Sequence, residues 1–230
     1  MKILVVNPNT TSKMTEKILE SARKFAFPGT TISASNPIVG PESIQGYYDA
    51  AVCVPQIIEL IKQEKDFDAV VISCFDDTGL DAIRCITDKP VIGIGEAAAI
   101  YAGRLACSFA IITTLSRSVP GIESNIYKYG LGSICKKVVA SGIPVLELEK
   151  MDPVALDRIN VTIHQLIRNF DIEAIVLGCA GMVDLANKLS REHNIPVIEG
   201  IGCGITLAQS MVKIGAKTSK SGGYAQPFKF

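Results

Sequence analysis

The chain has 230 residues and no formal net charge, because 23 Lys and Arg balance 23 Asp and Glu, and 48% of its residues are apolar. This length can bury a core in one domain, or in two small ones, without disulfide staples. No run of basic residues marks a nucleic-acid or membrane-binding surface, so we expect neither partner. A small molecule is the expected partner.

Short apolar runs alternate with segments of helical periodicity along the chain. Four-to-six-residue runs, typical of buried strands, lie at 3–6, 69–72, 90–94, 109–113, 174–177 and 196–201. Amphipathic helices are predicted after Thr10-Thr11-Ser12, over 48–65, and from Asp152-Pro153 to Phe170. The tail over 217–223 is expected to be a flexible surface segment that ends in Tyr224, Phe228 and Phe230. The alternation predicts an α/β protein with largely parallel sheets.

No apolar stretch approaches the roughly 18 residues that a membrane span needs, and the run at 3–6 is too short for a secretory signal. We therefore expect a cytoplasmic protein. The seven cysteines fit that compartment, since no two lie close enough in sequence for a C-x-x-C pair or a zinc-type cluster. They are Cys53, Cys74, Cys85, Cys107, Cys135, Cys179 and Cys203. Most buried cysteines serve only as small apolar core residues, so it has to be decided which of these seven thiols are catalytic.

An internal repeat singles out two of them. The segment 68–97 aligns with 173–203, which places Cys74 on Cys179 at an offset of 105, and Pro90 falls on Pro196 at 106. The opening run at 3–10 likewise aligns with 109–116. We therefore predict two pseudo-symmetric lobes, each a mostly parallel sheet flanked by helices, with the active site in the cleft between them. The predicted boundaries are 1–97 plus 208–230 for lobe 1 and 98–207 for lobe 2.

Cys74 and Cys179 each lie between the end of a strand and the start of a helix, where open parallel sheets bind ligands. Backbone N–H groups and the helix dipole there lower the pKa of a thiol. Asp77 or Thr78 is expected to cap the helix that follows Cys74. The acids Asp76 and Asp77 oppose the lowering of the pKa at Cys74, although both could equally serve only as helix caps. Our hypothesis is that Cys179 is the resting base and Cys74 the resting acid.

Two thiols that face each other across a cleft fit racemisation, in which one thiolate removes a proton and the opposite thiol returns one to the other face. Oriented N–H donors from the two turns would stabilise the carbanion. The two histidines, His164 and His193, are predicted to be ordinary surface or boundary residues. The sequence Gly93-Ile-Gly95-Glu96 resembles a dinucleotide fingerprint only weakly and is better explained as a tight strand-to-helix turn.

Five motifs together resemble the Asp/Glu/hydantoin racemase superfamily over the whole chain, within its hydantoin and allantoin branch. They are NPNT at 7–10, GPESIQG at 40–46, SCFDDTGLDAIR at 73–84, PVIGIGEAA at 90–98 and LGCAGM at 177–182. The resemblance implies a racemase that needs neither cofactor nor metal, with Cys74 and Cys179 as the paired acid and base, and assembly into a homo-oligomer.

The residues after each cysteine depart from the amino-acid racemases of this superfamily. Those enzymes carry Asn-Thr after the first Cys and Thr after the second, whereas this chain has Phe75 and Ala180-Gly181. This difference favours a neutral planar ring, such as a 5-substituted hydantoin, over an amino acid; allantoin is itself such a cyclic ureide. The residues expected around the ring are Asn9, Ser43, Ile44, Phe75, Thr114 and Gly181.

Three further functions stay open at this stage. The first is an aspartate- or glutamate-type racemase. The second is a cysteine amidase or hydrolase, which would leave the duplicated Cys unexplained and lacks an obvious His partner. The third is a two-lobed sensor that binds a small molecule without turning it over.

Overall fold

The computed structural model describes residues 1–148 and 152–228. Its eight strands form two four-stranded parallel sheets with the same strand order, β2-β1-β3-β4 and β6-β5-β7-β8. The first sheet comprises β1 (Lys2–Val6), β2 (Thr31–Ser35), β3 (Ala69–Ile72) and β4 (Val91–Gly93). The second comprises β5 (Phe109–Thr113), β6 (Cys135–Ala140), β7 (Ala174–Gly178) and β8 (Val197–Glu199). The repeated order confirms the predicted α/β fold with two pseudo-symmetric lobes.

Helices cover both faces of each sheet. They are α1 (Ser12–Arg23), α2 (Tyr47–Gln63), α3 (Leu80–Ile86), α4 (Ile94–Leu105), α5 (Val119–Lys128), α6 (Val145–Leu148), α7 (Pro153–Phe170), α8 (Ala186–His193) and α9 (Gly200–Lys213). The predicted helices correspond to α1, α2 and α7. As predicted, the Asp152 side chain caps α7, where its Oδ1 accepts a 2.9 Å hydrogen bond from the N–H of Val154.

The central strands explain the high apolar content. Every residue of β3, β5 and β7 is buried, because helices cover both faces of these strands. Within the described residues, the buried apolar residues form one cluster on each face of each sheet, where the strands pack against the covering helices. Of the four edge strands, β2 and β6 carry exposed residues, whereas β4 and β8 are almost entirely buried. The buried strands therefore hold their carboxyl ends, where the cysteines follow, in fixed positions.

Two helices cross between the lobes. Helix α4 follows β4 of the first sheet but packs against β7 and β8, whereas α9 follows β8 of the second sheet and packs against β3 and β4. The two helices also pack against each other. A Cβ on Gly200 would lie 2.8 Å from the carbonyl oxygen of Ile94, so the close approach of the two helix starts requires glycine there. The predicted boundaries at 97/98 and 207/208 fall within these two crossing helices.

The tail lies against α3. The Tyr224 hydroxyl donates a 3.0 Å hydrogen bond to Asp81, and the Arg84 guanidinium lies 5.7 Å from the centroid of the Tyr224 ring. The backbone N–H of Thr218 donates a hydrogen bond to the carbonyl oxygen of Asp88. Part of the 217–223 segment, which was expected to be flexible, is therefore hydrogen-bonded to lobe 1. Phe228 is exposed, and Phe230 lies outside the described residues.

No helix among the described residues is long and apolar enough to cross a membrane.

Candidate active site

Cys74 and Cys179 line one cavity of about 40 Å³ between the lobes. Cys74 follows Ser73 at the end of β3, and Cys179 directly follows β7. In the strand registers, Val6 pairs with Ile72 and Thr113 pairs with Gly178, so the residues after β1 and β5 also reach this edge. The carboxyl ends of strands from both sheets therefore point towards the same space, and each sheet contributes one thiol to it. We call this space the cleft cavity.

Four of the six residues expected around the ring line the cleft cavity: Asn9, Ile44, Phe75 and Thr114. Ser43 does not line it among the described residues; its hydroxyl accepts a 2.9 Å hydrogen bond from the Gln45 side chain instead. Gly181 belongs to the 3-10 turn Ala180–Leu185, which follows Cys179. The roles of these residues in binding stay predictions.

Several lining residues were not singled out from the sequence. They are Asn7, Met14, Ser73, Thr113, Ser118, Val145 and Gly178. Asn7 is the most connected of them: its side-chain amide donates to Asn9 Oδ1 at 2.9 Å and to Thr15 Oγ1 at 3.0 Å. The position of Asn7 directly after the first buried strand, within the NPNT motif, was the sequence feature that could have identified it as a site residue. Asn7 therefore fixes the amide of Asn9 at the cavity wall.

Asp77 is the most constrained residue of the loop after Cys74. Its φ is 51°, in the left-handed region, and its carboxylate accepts hydrogen bonds from Gly95 N–H at 2.9 Å and Glu96 N–H at 2.7 Å. Asp77 thus caps the start of α4. The prediction that Asp77 or Thr78 caps the helix following Cys74 is wrong, because α3 begins after Gly79 without a side-chain cap.

The glycines of the Gly93-Ile-Gly95-Glu96 turn make room for this carboxylate. A Cβ on Gly93 would lie 2.0 Å from Asp77 Oδ1, and one on Gly95 would lie 2.3 Å from the carbonyl oxygen of Phe75. The N–H groups that would bind a pyrophosphate in a dinucleotide fold are bound to Asp77 here. The tight-turn interpretation of these glycines is therefore supported.

Burial dominates the electrostatics at Cys74. It raises the pKa of the Cys74 thiol well above its usual value, and the negative charge of Asp76 raises it further. The Thr78 hydroxyl, 3.5 Å from the sulfur, and the backbone N–H of Asp76 both lower this pKa, but to a smaller extent. Desolvation therefore outweighs the oriented donors of the turn at Cys74, which is the direction that the resting-acid hypothesis requires.

The acids of the same loop are also perturbed by burial. Burial raises the pKa of Asp76 to about 6 and that of Asp77 to about 7. For Asp77, the hydrogen bonds from Tyr129, Gly95 and Glu96 act in the opposite direction. Only Asp76 of these two lines the cleft cavity. Cys74 is thus a protonated thiol beside a half-buried carboxyl group.

The two histidines stand apart from the cleft cavity. Their rings contact each other edge to face at 4.6 Å between centroids, on α7 and α8, and His193 hydrogen-bonds Asn160 at 2.8 Å. Neither lines the cavity. Within residues 1–148 and 152–228, no group of three His, Cys, Asp or Glu side chains is arranged to hold a metal ion. The groups at the cavity suited to proton transfer are the two thiols and Asp76.

Comparisons with known proteins agree with this geometry. Residues 3–208 match the family model described as Asp/Glu/Hydantoin racemase. The hydantoin racemase of Rhizobium meliloti is 43% identical over 230 residues, which cover 99% of this chain and 95% of that protein. The hydantoin racemase of Pseudomonas sp. (strain NS671) is 38% identical, with 100% and 93% of the two chains covered. The crystal structure of allantoin racemase from Pseudomonas fluorescens superposes with a TM-score of 0.96 at 38% identity, covering 100% of this chain and 98% of that one. With its fold, its paired cysteines and these full-length matches, the chain belongs to the Asp/Glu/hydantoin racemase family.

Proposed function

We propose that the protein is a racemase of 5-monosubstituted hydantoins that moves a proton at ring C5 between two thiols, without a cofactor. The observation that carries this proposal is that Cys74 and Cys179, from corresponding positions in the two lobes, line a single cavity. Relatives named hydantoin racemases over the full length of the chain support the same reaction. In enzyme terms the protein is an isomerase.

The reaction needs one base and one acid on opposite faces of C5. In one direction the Cys179 thiolate takes the C5 proton, the electron pair of the C–H bond enters the ring as an enolate, and Cys74 donates its proton to the other face. Cys179 ends as a thiol and Cys74 as a thiolate, which is the form that acts on the opposite enantiomer. The raised pKa of Cys74 supports its role as the resting acid.

Polar groups at the cavity wall would stabilise the enolate. Asn9 donates through its side-chain amide to the sulfur of Met14 at 3.2 Å, a weak acceptor that a substrate carbonyl could replace. Thr114 and Ser118 contribute hydroxyl groups to the same wall. Because these donors are held by buried strands and turns, they need little reorganisation when charge develops on the substrate.

The cavity favours a neutral ring over an amino acid. Among the described residues that line it, none is Arg, Lys or His, and Asp76 contributes a carboxyl group. An α-carboxylate would therefore lie near a like charge without a cation to pair with it. A hydantoin ring presents two carbonyls and two N–H groups without a net charge. Allantoin, a hydantoin with a ureido substituent, is the alternative substrate that the same chemistry accepts.

Deuterium exchange tests the proposal. A single enantiomer of a 5-substituted hydantoin is incubated with the enzyme in deuterated water, while optical rotation and mass are followed. Loss of rotation with one deuterium at C5 and an intact ring is the expected result. Ring-opened product would instead identify a cysteine amidase. Binding without exchange or turnover would identify a sensor.

Variants then test the pairing of the thiols. Cys74→Ser and Cys179→Ser should each abolish racemisation, while one of them can still exchange deuterium with a single enantiomer. Cys107→Ser, which alters an exposed thiol outside the cavity, is the matched control and should retain full activity. Full racemase activity in either of the first two variants would refute the two-thiol scheme.

Location and assembly are proposed on separate grounds. A mechanism that needs reduced thiols suits the cytoplasm, where disulfides are rare. Assembly into a homo-oligomer is supported by an apolar surface around the 36–48 segment, where Ile38 is 96%, Val39 66% and Tyr48 81% exposed. Light scattering after size exclusion tests the assembly; a monomer at micromolar concentration would contradict it.

A further inference from the structure

A second cavity, of about 270 Å³, adjoins the cleft cavity. Its walls come from both lobes: α2 contributes Tyr47, Ala50 and Val54, and α5 contributes Gly121 and Asn125. We call it the side cavity. It is several times larger than the cleft cavity, which has a volume of about 40 Å³. A substituent on a ring that is bound between the thiols therefore has to extend out of the cleft cavity.

Two residues, Asp76 and Ser118, line both cavities. Asp76 comes from the loop after Cys74 in lobe 1, and Ser118 from the segment that leads into α5 in lobe 2. The backbone carbonyl of Asp76 accepts a 2.9 Å hydrogen bond from the Asn125 side chain, which ties this loop to α5. Asp76 and Ser118 therefore stand at the junction through which a substituent of the reacting carbon would leave the cleft cavity.

The carboxylate of Asp76 is available to a ligand. No salt bridge or side-chain hydrogen bond engages it among the residues that the structure describes, although the residue is half-buried. A desolvated carboxylate without a partner is costly, and an N–H donor from a ligand would relieve that cost. An alkyl or aryl group placed there would desolvate it further. An anionic group would be repelled, because Arg117, the cation that lines the side cavity, is exposed and its charge is screened by solvent. The junction therefore favours a neutral substituent that carries N–H groups.

We propose that the side cavity binds the substituent at C5 of the substrate, and that Asp76 selects a ureido-type substituent by accepting a hydrogen bond from its N–H. The inference rests on the proposed function, since it assumes a hydantoin ring between the thiols. It narrows the substrate class from hydantoins in general to those with a neutral, polar, N–H-bearing side chain, of which allantoin is the available example. Ser118 and Ser124 place further hydroxyl groups along the walls.

The first experiment compares substrates in one variant. Initial racemisation rates give kcat/KM for allantoin, 5-methylhydantoin, 5-benzylhydantoin and hydantoin-5-acetic acid, in the wild type and in Asp76→Asn. Removing the charge also alters the neighbouring Cys74 thiol, but that effect acts on all four substrates alike, so the ratio between substrates isolates the contact with the substituent. We expect allantoin to be the best wild-type substrate and the ratio of allantoin to 5-methylhydantoin to fall about tenfold in the variant.

A second variant tests the side cavity and leaves the charge of Asp76 unchanged. Ala50→Leu adds bulk to the wall of the side cavity from α2, so the same ratio should fall again. Gln63→Leu makes a substitution of similar character at the exposed far end of α2 and should leave every rate unchanged.

The outcomes separate this inference from the proposed function. If the wild type racemises none of the four compounds, both fail. If it racemises them but the ratio is unchanged in Asp76→Asn and in Ala50→Leu, the assignment of the side cavity is wrong while the racemase survives. A wild-type preference for the benzyl or acetate compound would also overturn it.

Discussion

The Tyr129 hydroxyl donates a 2.5 Å hydrogen bond to the carboxylate of Asp77. Tyr129 follows α5 in lobe 2, whereas Asp77 lies in the loop that carries Cys74 in lobe 1, so this bond crosses between the lobes beside the cleft cavity. Asp77 also accepts from two N–H groups at the start of α4. One buried carboxylate thus joins the loop of a reactive thiol, the crossing helix and the opposite lobe.

Tyr129→Phe should destabilise the protein by about 2 kcal/mol, because it removes one donor from a buried, charge-bearing acceptor. The loss should be larger at pH 8 than at pH 5, since the pKa of Asp77 is about 7 and the bond is stronger to the ionised group. Urea unfolding at both pH values measures it. Tyr127→Phe, on the same helix with its residue 75% exposed, is the control. Equal stability of the two variants at pH 8 would contradict the role of this bond.

Gly95→Ala should both destabilise the protein and slow racemisation. The added Cβ would lie 2.3 Å from the backbone oxygen of Phe75, so the backbone next to Cys74 has to move. Overpacking of this kind costs about 2 kcal/mol or more. Thermal unfolding and kcat for 5-methylhydantoin are the measurements. Gly223→Ala, where a Cβ meets no atom within 4 Å, should change neither. Wild-type kcat in Gly95→Ala would show that the loop tolerates the shift.

The central strands, and the placement of Cys74 and Cys179 at one cavity, could be predicted from patterns that the sequence itself contains. Continuous apolar runs predicted β1, β3 and β5 within about a residue, and the internal repeat separated Cys74 and Cys179 from the other thiols. The edge strands β2 and β6 were missed, since their exposed faces carry residues such as Lys136 and Lys137. They are strands because they pair with β1 and β5, far away in sequence.

The details of the site depend on tertiary contacts that no local pattern reveals. Asp77 binds N–H groups 18 and 19 residues further along the chain, which no capping rule for the adjacent helix predicts. Ser43 turns towards Gln45 rather than the cavity, although its neighbour Ile44 lines it. The pKa of Cys74 depends on how deeply the folded chain buries it. Sequence position singled out the two cysteines, while burial raises the pKa of Cys74.

Alkylation should report the protonation state of Cys74 directly. Burial and the charge of Asp76 raise its pKa, so its reaction with iodoacetamide should keep accelerating above pH 9. Asp76→Asn removes the larger of the two charges that raise this pKa beside burial, and it should speed labelling at pH 8 about fivefold. Peptide mass spectrometry resolves Cys74 from the other thiols. Asp157→Asn, an exposed acid of α7, is the control. A labelling midpoint near pH 7 in the wild type would contradict the resting-acid assignment.

The stability of the protein should depend on pH through Asp76. Burial raises its pKa from 3.8 to about 6 in the folded state. A carboxyl whose folded pKa is raised favours folding below pH 4, where it is protonated in both states, and that advantage disappears as pH rises through 6. Relative to Asp76→Asn, which does not ionise, the wild type should therefore lose on the order of 2 kcal/mol between pH 4 and pH 7. Urea unfolding of both proteins across this range measures the difference, and Asp157→Asn, which changes an exposed acid of α7, is the control. If the stability of the wild type relative to Asp76→Asn instead rises with pH, Asp76 is paired with a cation in solution and is not available to a substrate N–H.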